Sequence, residues 1–245
     1  MVKRRPPHAD NPSVTDLSSR PWHPRATTVE DRAITGAAIL EPTTGHDTAR
    51  ESLSILAAIA DYHDDDTSQH AQRVGIYCAL IARALELPEP FVDLIRDAAP
   101  LHDIGKVGIP DRILHKPGAL TPEERTIMMR HVEIGANILA NTRSPVLRAA
   151  AEIALNHHER WDGRGYLRGL HTDEIPLSAR ITAIADVFDA LTHGRPYKQA
   201  WDIDRALAEI AAQAAHQFDP RIAQAFATLN PDTFLHDPAT RAGSI

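Results

Sequence analysis

From Thr48 onward, apolar residues return at helical rather than alternating spacing, and turn signals cut the pattern into segments. Thr48-Ala-Arg-Glu51 has the spacing of a capping box ahead of Leu53, Leu56, Ile59 and Ala60, which predicts a first helix with that stripe inward. The acidic run Asp64-Asp65-Asp66 suits the positive end of a helix dipole and predicts a second helix starting there. Val74, Tyr77, Ile81, Ala84 and Leu85 then face the core until Leu87-Pro88 ends it. Phe91, Leu94, Ile95 and Ala98 mark a third helix running into His102, with Pro100 set to bend it. Thr121-Pro-Glu-Glu124 joins an N-cap, a first-turn proline and a capping glutamate, and Ile127, Ile134, Ile138 and Leu139 then share one face with His131. Ser144-Pro145 opens the helix that carries Ile153 and Ala154 toward His157. Pro176 begins another, with Ile181, Ile184, Phe188 and Leu191 inside. Asp202 or Asp204, and then Asp219-Pro220, start two terminal helices. No strand pattern competes and no repeat is present, so the expected fold is all-α.

Residues 1 to 45 behave differently. They hold Pro6, Pro7, Pro12, Pro21, Pro24 and Pro42 among polar residues with no sustained period, which predicts a poorly ordered extension. The expected organisation is therefore this extension, a domain over 46–230, and a tail over 231–245.

Composition narrows the function. Hydrophobic residues make up 43% of the 245 but aromatics only 5%, so the core has to be built from Ala, Leu and Ile, which favours packed helices. A net charge of −7 argues against nucleic acid polymers and anionic membrane as bulk partners, because phosphate neutralisation needs a basic excess. A small anionic ligand remains compatible. Cys78 is the single cysteine, which points to a reducing compartment, and no apolar run is long enough for a membrane span. Prolines follow Lys3-Arg4-Arg5 where a signal peptide would need an apolar run, so the expected location is cytoplasmic.

The candidate chemistry is imidazole and carboxylate. His102-Asp103 and His157-His158 offer ligands that suit iron, manganese or magnesium better than a structural zinc cage, in a chain with almost no thiol. Asp66 and His70 stand four apart, which places both on one helical face. His102 and Asp103 lie where a helix ends near Gly105, a residue free to turn the chain. His131 interrupts an apolar stripe, and Asp186 sits between Ile184 and Phe188, where an unpaired carboxylate is costly to bury. Taken alone, His131 is more often a hydrogen-bonded core histidine, Asp186 an arginine's partner, and Asp66 a solvated helix start. Recurring on most of the predicted core helices, the set fits a polynuclear hydrolytic metal site in a bundle interior.

The stretch from Ser52 to Phe226 resembles an HD-GYP domain, the cyclic di-GMP phosphodiesterase branch of the HD metal-dependent phosphohydrolases. The resemblance is carried by Asp64-Asp-Asp-Thr-Ser-Gln-His70, Leu101-His-Asp-Ile-Gly-Lys-Val-Gly-Ile-Pro-Asp111 and Lys116-Pro-Gly-Ala-Leu-Thr-Pro-Glu-Glu124. His131-Val-Glu-Ile-Gly135, His157-His-Glu-Arg-Trp-Asp-Gly-Arg-Gly-Tyr166, Ala185-Asp-Val-Phe-Asp-Ala190 and Arg195-Pro-Tyr-Lys198 complete it in order. It implies an HD-type helical bundle with two divalent ions, iron or manganese, held by His70, His102, Asp103, His131, His157, His158 and Asp186. Asp103 would bridge them, with His102, Asp186 and His70 on one side and His131, His157 and His158 on the other. Some members bind a third ion through a Glu where this chain has Asp66. The resemblance also assigns Lys106 to the phosphate, and Tyr166, Arg195 and Lys198 to the ligand pocket.

The implied activity is bacterial second-messenger turnover: cyclic di-GMP opened to linear pGpG, with a second cleavage to GMP, and GGDEF-domain proteins as partners. One departure stands in the naming motif, which reads Gly165-Tyr166-Leu167, with leucine in place of proline. The competing expectations are a phosphohydrolase of another nucleotide and a module that binds nucleotide or protein without turnover.

Overall fold

The computed structural model describes residues 44–63, 69–193 and 199–230, all within the unit Pro42–Ile245. These residues form α1 (Thr44–His63), α2 (His70–Ala84), α3 (Glu89–Ala98), α4 (Asp111–Leu114) and α5 (Pro122–Met129). They continue through α6 (His131–Leu139), α7 (Pro145–Asn156), α8 (Leu177–Thr192), α9 (Ile203–Ala212) and α10 (Pro220–Ala227), with short 3-10 turns at Ala99–Leu101, Ile104–Gly108 and Thr172–Glu174. No strand occurs among the described residues, so the all-α expectation holds.

Helix starts follow the expected chemistry where a short side chain precedes proline or an acidic turn. Thr121 accepts from Glu124 N while the Glu124 carboxylate accepts from Thr121 N, a reciprocal cap on α5. Ser144 caps α7, Asp202 caps α9 and Asp219 caps α10 through their side-chain oxygens.

Three expectations fail for identifiable reasons. Thr48 does not begin α1, which already runs from Thr44 and carries Thr48 in its second turn. The buried face of α1 is Ala57, Ala60 and Asp61, leaving Leu56 and Ile59 exposed, because alanines let this helix lie close to its neighbours. The stripe from Ile127 to Leu139 is broken at Arg130 into α5 and α6; Ile138 is 52% exposed while Val132, Ala136 and Leu139 turn inward. The expected start of the second helix at Asp64 to Asp66 lies outside the described residues.

The centre of the bundle is α2, packed on α3 and α8, with α7 against both α3 and α8. Tyr77 of α2 meets Phe188 of α8 edge-on at 5.2 Å, and Phe188 meets Phe226 of α10 at 5.0 Å, so the few aromatics join three helices in one buried chain. Cys78 is fully buried beside Thr182 as a small core residue. Pro100 has its expected effect. α3 stops at Ala98 and the backbone tightens into a 3-10 turn that delivers Leu101, buried, and then His102.

Gly105 is used for contact, not turning. Its φ is not in the left-handed region, and a Cβ there would stand 1.9 Å from His131 O and 2.4 Å from Gly135 N. The bare Cα lets the turn Ile104–Gly108 lie directly on α6. That approach sets the distance between His102-Asp103 and His131.

Candidate metal centre

Five elements converge on one side of this core. His70 opens α2, His102 and Asp103 sit between two 3-10 turns, and His131 opens α6. His157 is the C-cap of α7, His158 follows it, and Asp186 lies in the middle of α8. Helix termini and tight turns carry all of these side chains except Asp186.

The atoms fall into two groups that share Asp103. One comprises Asp103, His131, His157 and His158, the other His70, His102 and Asp103, and within each the potential ligand atoms all lie within 4.8 Å of one another. Asp103 Oδ1 is 3.3 Å from His131 Nε2 and 3.5 Å from His157 Nε2, while Oδ2 is 3.3 Å from His102 Nε2. Its two oxygens therefore face the two groups separately. Asp186 falls outside both groups but stands beside the second, with Oδ1 3.6 Å from His70 Nε2 and 3.9 Å from His102 Nε2.

The far side of each ring fixes which nitrogen carries hydrogen. His102 Nδ1 donates to Ala99 O at 2.9 Å and His131 Nδ1 donates to Met128 O at 2.8 Å. His157 Nδ1 lies 3.1 Å from Ala154 O and 3.2 Å from Ile153 O. A carbonyl can only accept, so Nδ1 holds the hydrogen, and in the neutral ring the Nε2 lone pair faces Asp103.

His102 Nε2, His131 Nε2, His157 Nε2 and Asp103 Oδ1 are buried and make no hydrogen bond. Each such orphan costs on the order of 1–3 kcal/mol. Four lone-pair atoms converging in one place form a donor set that a divalent cation satisfies, so the residues fit a metal.

The electrostatics agree with a site that attracts positive charge. Burial opposes a charged His102, but Asp103 and Asp186 outweigh it and lift the imidazole to about 9. His70 is raised in the same way against burial, by Asp189 and Asp186. Burial pushes His157 down, and burial plus the neighbouring His157 pushes His158 well down, so these two rings stay neutral. Burial would raise Asp103, yet Lys106, at 2.8 Å from Oδ2, and His102 hold it well below the usual carboxylate range.

Tyr166 completes the rim. Its ring stacks on His158 with centroids 4.7 Å apart, and burial followed by the Asp103 charge pushes its phenol up, so it stays a neutral donor. Asp66, Arg195 and Lys198, also expected at the site, lie outside the described residues.

Sequence reasoning assigned no role to Asp189 or Arg73. Asp189 is buried on α8, accepts from His70 Nδ1 at 2.7 Å, and is paired with Arg73 Nε at 2.6 Å and Nη2 at 2.9 Å. Burial would raise Asp189, yet hydrogen bonds from His193, His70 and Arg73, in that order, hold it far below its ordinary range. Asp189 thus turns His70 by the logic that carbonyls apply to the other rings. The available signal was its position one helical turn after Asp186.

Comparison with known proteins places these residues in context. The family model for the HD domain matches residues 54–222. A cyclic di-GMP phosphodiesterase of Thermotoga maritima is 50% identical over 182 residues, covering 74% of this chain and 50% of the relative. A 3'3'-cGAMP-specific phosphodiesterase 2 of Vibrio cholerae is 46% identical over 178 residues, covering 73% of this chain and 34% of the relative. The chain thus spans half or less of the length of these curated relatives. A solved cyclic GMP-AMP specific phosphodiesterase of Vibrio cholerae superimposes with a TM-score of 0.56 at 21% identity, over 78% of this chain and 49% of that one, which shows a shared fold. The HD-GYP resemblance read from the residues is borne out by these matches.

Proposed function

The chain belongs to the HD domain family, and from that premise we propose that it is a metal-dependent phosphodiesterase that hydrolyses cyclic di-GMP in bacterial signalling. The observation that carries the proposal is the Asp103 carboxylate, with one oxygen turned to each of two imidazole groups. The relative at 50% identity, named for that substrate, supports it.

Two divalent ions, iron or manganese, are proposed in the two groups, with Asp66 able to add a third on the His70 side. Bound there, they would supply Lewis-acid charge and a water of lowered pKa. The chain's own residues do the rest. Imidazoles held at Nδ1 present Nε2 in fixed directions, so no ring has to reorient during the reaction. Lys106 Nζ, 2.8 Å from Asp103 Oδ2, would take up charge on a non-bridging phosphate oxygen. Tyr166 offers its phenol hydrogen and aromatic face at the rim, and Arg195 and Lys198 are proposed to grip the second phosphate. A water oxygen bonds to phosphorus as the bond to the 3′ oxygen breaks, giving pGpG and, after a second cleavage, GMP.

The remaining proposals follow from this activity. They are a cytoplasmic location, a domain over 46–230 flanked by the 1–45 extension and the 231–245 tail, and docking of GGDEF-domain proteins near Tyr166. Among the described residues no helix is long and apolar enough to cross a membrane. The relative at 46% identity favours a second substrate, 3'3'-cGAMP. Incubating anaerobically purified, iron- or manganese-loaded protein with each cyclic dinucleotide decides the question. The proposal expects faster release of pGpG than of linear product from 3'3'-cGAMP. Absence of turnover for both overturns it.

A further inference from the structure

The segment after His158 leaves helix and crosses the rim as an irregular loop, so its backbone amides need partners from elsewhere. Two of them find the same side chain. Glu159 is 3% exposed, and its Oε1 accepts from Arg168 N at 2.7 Å while Oε2 accepts from Leu170 N at 3.1 Å. Glu159 belongs to neither group of potential metal ligands, although it directly follows His158. A buried carboxylate spent wholly on loop amides has a mechanical role.

The loop it holds is the one that carries Tyr166. Tyr166 N donates to His158 O at 3.2 Å, and Gly165 passes so near that a Cβ would lie 2.5 Å from Glu159 Cα and 2.6 Å from His158 O. Pinned on both sides, the ring has one place to lie, against His158 at an interplanar angle of 26°. This chain has Leu167 next, so no proline ring stiffens the turn there.

We propose that Glu159 is a positioning residue, a carboxylate clip that binds the Arg168 and Leu170 amides and so holds Tyr166 over the metal-facing histidines for substrate binding. The inference rests on the cyclic dinucleotide reading for its kinetic consequence, but not for its structural one. Without the clip the two amides turn to water and Tyr166 loses its fixed approach, while the tethers on His102, His131 and His157 are untouched.

The test uses the full chain with Glu159→Ala and the near-isosteric Glu159→Gln, which keeps one acceptor oxygen and the side-chain volume. Hydrogen exchange followed by mass spectrometry should show loss of protection confined to the 166–170 segment, greater in Glu159→Ala than in Glu159→Gln, with metal content equal to wild type. KM for cyclic di-GMP should rise about tenfold in Glu159→Ala, the scale of one charge-assisted hydrogen bond. The kcat should stay within about twofold. Added to Tyr166→Ala, Glu159→Ala should cause little further change, because the two act as one unit. Unchanged protection of the segment, loss of metal, or a KM effect that persists in full in the Tyr166→Ala background would overturn the proposal. Exchange and metal content are read whether or not the protein turns over a nucleotide, so an inactive wild type defeats the assigned function and leaves the clip to be judged on its own.

Discussion

At the scale of single residues, adjacency in the chain decided what could be foreseen. His102-Asp103 and His157-His158 announce themselves as pairs, and the structure brings both pairs to one place. Asp189 could not be read this way, because its partners Arg73 and His70 lie 116 and 119 residues away. Asp103→Ala is expected to abolish hydrolysis and to strip metal from both groups while the protein stays helical. It also leaves Lys106 and His102 without their carboxylate, so the metal-free variant should be less stable than metal-free wild type. Metal analysis, circular dichroism and product assay on one preparation check all three, and wild-type turnover would defeat the bridging role. Asp66→Ala should lower metal stoichiometry or the pGpG-to-GMP step and spare ring opening. As a mere helix-start charge its loss would cost only a few tenths of a kcal/mol. Unchanged metal content and an unchanged product ratio would return it to that ordinary part.

Helices were legible at their starts more than at their faces. Thr121, Ser144 and Asp219 were foreseen at helix starts, and Asp202 as one of two candidates with Asp204, because capping is a local transaction between a side chain and the next turn. The inward face of α1 was read correctly at Ala60 and partly at Leu53 but not at Leu56 and Ile59, which are exposed while the smaller Ala57 is buried, because size is a poor guide where helices approach closely. The same closeness explains Gly105, whose nearest neighbours are backbone atoms of α6 and cannot yield. Gly105→Ala should therefore force the Ile104–Gly108 turn off α6, costing about 1–3 kcal/mol or more, the range of core overpacking. Separation of His131 from Asp103 should then weaken metal binding. Thermal unfolding and metal titration check this, and a wild-type melting temperature with full metal content would contradict it.

The bundle as a whole also carries a device remote from the metal centre. Asp219 is 2% exposed at the start of α10, where it accepts from Arg221 N at 2.9 Å and from Arg180 at 2.6 Å. Burial would raise its carboxyl, but the Arg221 and Arg180 hydrogen bonds hold it below the ordinary value. A depressed folded-state pKa means that its stabilising effect is complete above the unfolded value of about 3.9 and is lost as pH falls through the lower folded one. Asp219→Asn should thus cost about 1.5–3 kcal/mol at neutral pH, the worth of hydrogen bonds to a charged group. The gap from wild type should close in strong acid. Urea unfolding of both proteins across acid pH reads this directly, and a gap independent of pH would exclude it. Such a long-range cluster was beyond sequence reasoning, which saw Asp219 only as a cap.

The ring tethers divide the histidines by range. His102 and His131 each lean on a carbonyl three residues earlier, and His157 leans on its own preceding turn, so each carries its orientation within a short, self-sufficient cassette. His70 is the exception, since its tether Asp189 is supplied by α8 across the molecule. Any loosening between α2 and α8 therefore disorients His70 while the other three rings keep their aim. If two ions are held as proposed, failure of the centre on gentle heating or in mild denaturant should accordingly be sequential, with the ion nearest His70 shed before the other and before the helices melt. Parallel records of metal release and helicity would show it as a step in the first that has no counterpart in the second.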